Sequence, residues 1–188
     1  GLLKLDMLGL RTIDTIHETT KFIKQTTGNT IDVFKIPLDD HKTYQLITEG
    51  GFVSVFQYDS PGFREMARRL QPDRFELLMA LNALYRPGPM LPQKVVIEKP
   101  NGKIEEVDAP SIADTFIESR HGRQDAETWH KDLDEIMSNT FGMPLYQEQI
   151  SEMSKKLSGF DDMEADEYRA AIGKKNKEKF DIAQKKFI

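Results

Sequence analysis

The stretch Ser60-Pro-Gly-Phe-Arg-Glu-Met-Ala-Arg-Arg-Leu-Gln-Pro-Asp-Arg-Phe-Glu76 predicts two consecutive helices that are separated by a proline. Its apolar residues recur at the spacing of one helix face, namely Phe63, Met66, Ala67 and Leu70. Pro72 ends the first helix, and Asp73 and Glu76 have the spacing of a capping box for the second. The stretch therefore favours a mainly helical fold.

Helical patterns continue on both sides of this stretch. We expect helices at about 10–24, 40–49, 75–86, 110–120, 131–139, 145–158, 162–173 and 176–187. The opening Gly1–Leu8 alternates imperfectly, as a short strand would, and Phe52–Tyr58 is predicted as another short strand.

One segment has a different pattern. Lys94–Lys99 and Lys103–Asp108 are rich in β-branched residues and flank the turn signal Pro100-Asn-Gly102. This predicts a β-hairpin insertion at about 91–109. The expected fold class is mainly α, with a short N-terminal strand and this small hairpin.

Composition excludes several classes of protein. The chain has 188 residues, a net charge of −5 and no cysteine, so disulfides and thiolate chemistry are excluded, and its four histidines lack zinc-ligand spacing. No apolar run approaches the roughly 20 residues that span a bilayer, and no signal peptide is recognisable. A reducing cytoplasm is compatible with this composition. Since Gly1 falls inside an apolar element, we expect a piece of a longer protein.

Standard active-site motifs such as a Walker loop are absent, so candidate functional residues can be identified only one at a time. Asp6 lies in an apolar stretch near Lys4, where the pair could bind a ligand or form a plain ion pair. Arg86, fixed by the following Pro87-Gly-Pro89, could clamp phosphate or simply neutralise a helix C-terminus.

Basic residues crowd the predicted junction of the last two helices. Arg169, Lys174 and Lys175 lie there, and several cations beside exposed amides would suit a triphosphate. An exposed basic turn is the alternative. Upstream, Tyr146-Gln-Glu-Gln149 opens a helix whose apolar stripe is typical of core.

Together these stretches resemble the bacterial DNA polymerase III alpha subunit family, the C-family replicative polymerases. The segments that carry the resemblance are Gly1-Leu-Leu-Lys-Leu-Asp-Met-Leu-Gly-Leu-Arg-Thr12, Ile36-Pro-Leu-Asp-Asp40, Phe56-Gln57, Arg68-Arg-Leu-Gln-Pro-Asp-Arg-Phe75, Ala83-Leu-Tyr-Arg-Pro-Gly-Pro89, Tyr146-Gln-Glu-Gln149 and Ala171-Ile-Gly-Lys-Lys175. They occur in the family's order over almost the whole chain except the hairpin.

The resemblance implies that residues 1–9 end the palm domain and that residues 10–188 form the fingers domain. It implies nucleotidyl transfer, in which a primer 3′ hydroxyl attacks the α-phosphate of a deoxynucleotide (dNTP) at two Mg²⁺ ions. Asp6 matches the third of three metal-binding, catalytic palm aspartates. Because the other two lie outside this chain, the chain alone is expected to be inactive.

The resemblance also implies which residues contact nucleotide phosphates. Lys4, Arg169, Lys174 and Lys175 match family cations expected near the triphosphate, and Arg86 is a further candidate. The implied partners are primer-template DNA, dNTP and the rest of the polymerase chain. The sliding clamp and other replisome subunits would bind through other regions, in the cytoplasm and without a membrane.

Three departures predict a divergent family member. Ala170 replaces the usual second arginine, Met7 replaces a common phenylalanine, and the segment at about 91–109 is long. Two other functions stay open. One is a non-catalytic nucleic-acid-binding module that uses Arg64, Arg68, Arg69 and the lysines of 174–186, and the other is a degenerate scaffold.

Overall fold

The computed structural model describes residues 4–99, 102–126, 128–173, 180–182 and 184–185. The α-helices are α1 (Arg11–Thr27), α2 (His41–Thr48), α3 (Pro61–Leu70), α4 (Phe75–Leu84), α5 (Pro87–Met90), α6 (Ile112–Arg120), α7 (Asp134–Met137), α8 (Gln147–Ser158) and α9 (Asp162–Gly173). Short 3-10 helices cover Val33–Lys35, Lys131–Leu133 and Ser138–Thr140. The mainly helical fold class is confirmed.

Local side chains set the helix ends around the central stretch. Ser60 accepts a hydrogen bond from the backbone N–H of Phe63 at 3.2 Å, and Pro61 occupies the first helical position of α3. Asp40 caps α2 in the same way through the N–H of Thr43. These residues stop the chain from fraying where the elements meet.

The main core forms where α3, α4 and α6 pack together. Its buried side chains are Phe52, Phe63, Met66, Ala67, Leu70, Leu77, Ala80, Leu81, Leu84, Ala113, Phe116 and Ile117. The rings of Phe52 and Tyr58 surround Phe63, with centroids 6.4 and 4.2 Å from it. The arginine-rich face of α3 is thereby left outside the core.

A second, smaller cluster joins α7 to α8. Leu133, Met137 and Met153 are buried there. Helix α9 then packs on α8, and Lys155 of α8 pairs with Asp162 of α9 at 2.7 Å. Residues in α8 and α9 that are far apart in sequence therefore share one surface.

The hairpin is present where it was expected. Strands β1 (Gln93–Glu98) and β2 (Ile104–Ala109) pair in antiparallel register, with Gln93 opposite Ala109 and Glu98 opposite Ile104. Lys94 and Glu106 form a cross-strand ion pair at 2.8 Å. Exposed side chains dominate both strands.

Three local predictions were wrong. Residues 4–10 form no strand, because β1 and β2 pair only with each other and leave this segment no partner in the described chain. Residues 52–58 turn instead of extending, with left-handed backbone at Ser54 and Gln57. Asp73 does not cap α4, because its carboxylate receives the guanidinium of Arg120 at 2.7 Å.

Among the described helices, none combines the length and the apolar character that a membrane crossing requires.

Candidate functional site

The N-terminal candidates form an open pair. Lys4 Nζ lies 3.9 Å from Asp6 Oδ1, and the two side chains are 88 % and 87 % exposed. An ion pair this loose and this exposed contributes little to stability. Leu5, Met7 and Leu8 beside it are exposed as well. The Asp6 carboxylate is therefore accessible to a ligand.

The described residues do not form a metal site by themselves. No group of three or more His, Asp or Glu side chains in the described part of the chain could hold a metal ion. Asp6 supplies the oxygen donor that Mg²⁺ prefers, but Mg²⁺ needs several such ligands. Asp6 could therefore act only as one ligand of a site completed by other carboxylates.

Arg86 follows a tyrosine whose position is fixed by its neighbours. The hydroxyl of Ser60 donates to Tyr85 Oη at 3.3 Å, and the Tyr85 ring stands edge-on to Phe63 at 5.0 Å. A Cβ at Gly62 would lie 2.5 Å from Tyr85 Oη, so this close approach requires glycine. The exposed Arg86 guanidinium makes no hydrogen bond or ion pair with a described residue.

Arg169 lies at the α8–α9 contact and has two partners. Its Nη1 donates to Gln147 Oε1 at 2.7 Å, and its Nε and Nη2 donate to Asp166 Oδ1 at 3.1 and 2.5 Å. A guanidinium carries five N–H donors, so one N–H on each terminal nitrogen remains uncommitted. Since the side chain is 32 % exposed, these donors can meet a ligand.

A buried glutamine organises the start of α8. Gln149 Oε1 accepts from the backbone N–H groups of Leu145 and Tyr146, both at 2.8 Å. Its Nε2 donates to the carbonyl of Ile136 at 3.0 Å and to Thr140 Oγ1 at 2.8 Å. The sequence pattern predicted only an apolar stripe here, and the capping-box spacing from Tyr146 to Gln149 was the available signal.

Of the predicted site residues, the structure brings Lys4 and Asp6 together. Arg169 instead contacts Gln147, 22 positions away, which the sequence did not single out as a site residue. No hydrogen bond or ion pair among the described residues joins Lys4, Asp6 or Arg86 to this pair. Lys174 and Lys175 lie outside the described residues.

The arginines of α3 serve the fold. Arg69 bonds to Asp114 of α6 at 2.5 Å, and Arg64 pairs with Asp59. The Ser111 hydroxyl and then Arg69 lower the pKa of Asp114, while the backbone N–H of Ser54 and then Arg64 lower that of Asp59.

Arg68 donates to the Glu49 carbonyl at 3.2 Å and pairs with Glu65 at 3.4 Å. The three arginines of the predicted nucleic-acid-binding face are therefore each paired within the chain, while most of the lysines predicted for that face lie outside the described residues.

Comparison with known proteins identifies the family. Residues 12–188 match the model described as the bacterial DNA polymerase III alpha subunit finger domain. The whole chain is 38 % identical to DNA polymerase III subunit alpha of Aquifex aeolicus, of which it covers 15 %. It is 36 % identical to the proteins of the same name from Staphylococcus aureus (strain COL) and Caulobacter vibrioides, covering 16 % and 15 % of them. A match to this model over most of the chain, with such relatives, shows that the chain belongs to the bacterial DNA polymerase III alpha subunit finger domain family.

Proposed function

We propose that this chain is the part of a DNA-directed DNA polymerase that binds the incoming dNTP and the template-primer for nucleotidyl transfer. Residues 1–9 would end the palm and residues 10–188 would form the fingers. The carrying observation is Arg169, a partly exposed guanidinium that is already oriented by Gln147 and Asp166 and keeps donors on both terminal nitrogens. The activity requires the longer chain, because these 188 residues span about 15–16 % of the relatives' length.

The proposed phosphate contacts are supported by charge and geometry at Arg169 and by the family resemblance at the lysines. Arg169 can offer one N–H from each terminal nitrogen to phosphate oxygens, the arrangement that suits phosphate recognition. Arg86, free of described partners, would contact a second phosphate of the nucleotide or of the DNA. Lys4, Lys174 and Lys175 complete the proposed set of cations around the triphosphate.

Asp6 is proposed as one ligand of the Mg²⁺ site, together with carboxylates from the rest of the polymerase. When bound, the metal would activate the primer hydroxyl and neutralise phosphate charge. The part of this chain is limited to presenting the exposed Asp6 carboxylate beside Lys4. The enzyme would act on DNA in the cytoplasm, with the sliding clamp and replisome subunits bound elsewhere on the longer chain.

Primer extension by the complete polymerase that contains this segment tests the proposal. We expect Asp6→Asn to abolish extension and Arg169→Ala to raise the KM for dNTP roughly tenfold or more, as loss of a charged hydrogen bond predicts. Arg123→Ala is a matched control, since among the described residues Arg123 forms its ion pair with Glu118 alone. It should extend primers normally.

Two results would overturn the proposal. Normal extension by Asp6→Asn would remove the metal role of Asp6. A complete wild-type chain that binds primer-template in a salt-sensitive way but never extends it would instead support the binding module or a scaffold.

A further inference from the structure

At the contact between α8 and α9, a charged side chain forms a hydrogen bond with a neutral side chain. Arg169 binds the carboxylate of Asp166 from its own helix, and it also binds the amide oxygen of Gln147 from α8. Asp166 is three residues away on α9 and can follow Arg169 through any movement of that helix. Among the residues that the structure describes, Gln147 alone ties the guanidinium to a different element.

A neutral partner suits a cation that must also bind phosphate. A carboxylate at position 147 would compete strongly with a phosphate for the guanidinium, because ionic hydrogen bonds are roughly twice as strong as neutral ones. An amide oxygen orients Nη1 without adding a second negative charge to that of Asp166, which already pairs with the guanidinium. Ordering this long side chain in advance also removes part of the rotamer entropy that binding would otherwise cost.

The position of Gln147 is in turn fixed by a buried residue close to it in α8. Gln149, two positions further on, is buried and makes four hydrogen bonds: two to the chain entering α8, one to the Ile136 carbonyl of α7 and one to Thr140 after α7. A buried amide with all four bonds made is rigid, since losing any one leaves a polar group unpaired. The first turn of α8, including Gln147, therefore has a defined position relative to the second core cluster.

We infer that Gln147 is a positioning residue for nucleotide binding, which holds the Arg169 guanidinium towards the triphosphate, and that Gln149 anchors Gln147. This rests on the proposed function, because it assumes that Arg169 contacts the dNTP. It adds a role for the Tyr146-Gln-Glu-Gln149 segment, whose exposed glutamine acts through an arginine on another helix.

A double-mutant cycle in the complete polymerase tests this inference. Single-nucleotide incorporation is measured at saturating primer-template for wild type, Gln147→Ala, Arg169→Ala and the double variant. We expect Gln147→Ala to raise the KM for dNTP roughly three- to tenfold with kcat changed less than about twofold. In the Arg169→Ala background the same change should alter KM less than about twofold, because the arginine it positions is gone.

Comparing the effect on KM with the effect on kcat distinguishes a positioning role from simple loss of folded enzyme. A structural defect would reduce the active fraction and so lower the apparent kcat while KM stayed constant. Gln147 is exposed, so its truncation leaves no buried group unpaired. Gln147→Glu should also raise KM, because its carboxylate would compete with phosphate for Arg169.

Glu148→Ala provides the matched control. Glu148 is exposed in the same turn of α8, and its side chain makes no hydrogen bond or ion pair with a described residue. Its KM for dNTP should equal that of wild type. An effect as large as that of Gln147→Ala would assign the result to the helix terminus in general and overturn the inference.

The measurements distinguish a failure of the proposed phosphate contact from a failure of the positioning role alone. If Arg169→Ala leaves KM unchanged, the phosphate contact fails, and the positioning role with it. If Arg169→Ala raises KM but Gln147→Ala does not, or if the two effects multiply independently, the nucleotide contact stands and only the positioning role is overturned.

Discussion

Helices α1 and α3 have the same kind of apolar periodicity but very different surroundings. Helix α3 has ten residues and buries four of them, Phe63, Met66, Ala67 and Leu70. Helix α1 has 17 residues and buries none, and its Ile13 side chain is 62 % exposed. Periodicity therefore predicts that a helix is amphipathic, but it does not say whether another described element covers the apolar face.

The two helices are also held together differently. Helix α3 begins with a side-chain cap and packs against α2, α4 and α6. Helix α1 begins at Arg11, its N-cap residue Leu10 makes no side-chain cap hydrogen bond, and the hydrogen bonds of its side chains to described residues are local, such as the Thr19 hydroxyl donating to the Thr15 carbonyl at 2.7 Å. An uncovered apolar stripe of this kind is typical of a surface that meets a partner.

Truncating one apolar residue in each helix gives the largest contrast. Leu70→Ala should lower the free energy of unfolding by about 2–5 kcal/mol, because it leaves a cavity in the core. Ile13→Ala should change it by less than about 0.5 kcal/mol, since that side chain is mostly in solvent. Urea unfolding of the 188-residue chain, followed by circular dichroism, measures both. Equal losses would mean that α1 is covered in solution, and the contrast would not hold.

Changing the N-caps should have a smaller effect. Ser60→Ala removes the hydrogen bond to the Phe63 N–H and should cost about 1 kcal/mol. Leu10→Ser supplies α1 with a cap, but because α1 can open by itself, global stability should hardly change. Amide hydrogen exchange resolves the two helices. Slower exchange in α1 without a change in the unfolding midpoint is the expected result, and a raised midpoint would couple α1 to the core.

The smallest expected effect concerns acid stability. The pKa of Asp114 is lowered from its ordinary value of 3.8, so its ionised form favours the folded state. That contribution is complete well above the ordinary pKa and is lost as the pH falls through the lowered one.

Asp114→Asn should therefore flatten the decline of stability below about pH 5, whereas Glu18→Gln in α1 should leave it unchanged. Glu18 is a fair control because its ion pair with Lys21 is local and exposed. Unfolding midpoints across the acidic range measure both variants. Identical profiles for wild type and Asp114→Asn would contradict the expected role of Asp114.

The fold was predictable where one segment carries its own signal. Ser60-Pro61 and the apolar positions after it predicted α3, and Asn101-Gly102 predicted the hairpin. Predictions failed where a distant group decided the outcome. Asp73 has good capping spacing, but Arg120, 47 positions away, takes its carboxylate. A pattern of neighbouring residues in the sequence cannot show that a distant arginine competes for this carboxylate.

The candidate site was likewise predictable only where the signal is local in sequence. The sequence singled out Arg169 and the Tyr146-Gln-Glu-Gln149 segment separately, and the structure places Gln147 against Arg169. The arginines of α3 were predicted as a possible binding face, but carboxylates and carbonyls from other segments engage them. Charge can be counted in a sequence, whereas the partners of each charge depend on the tertiary fold.

The register of the hairpin has a consequence for how the family can change in length. Because Gln93 pairs with Ala109, the chain leaves α5 and returns towards α6 through neighbouring positions in space. Removing the residues between them would leave a gap that a very short turn could close. Insertions and deletions at this point can therefore accumulate during evolution while the helices on either side keep their places.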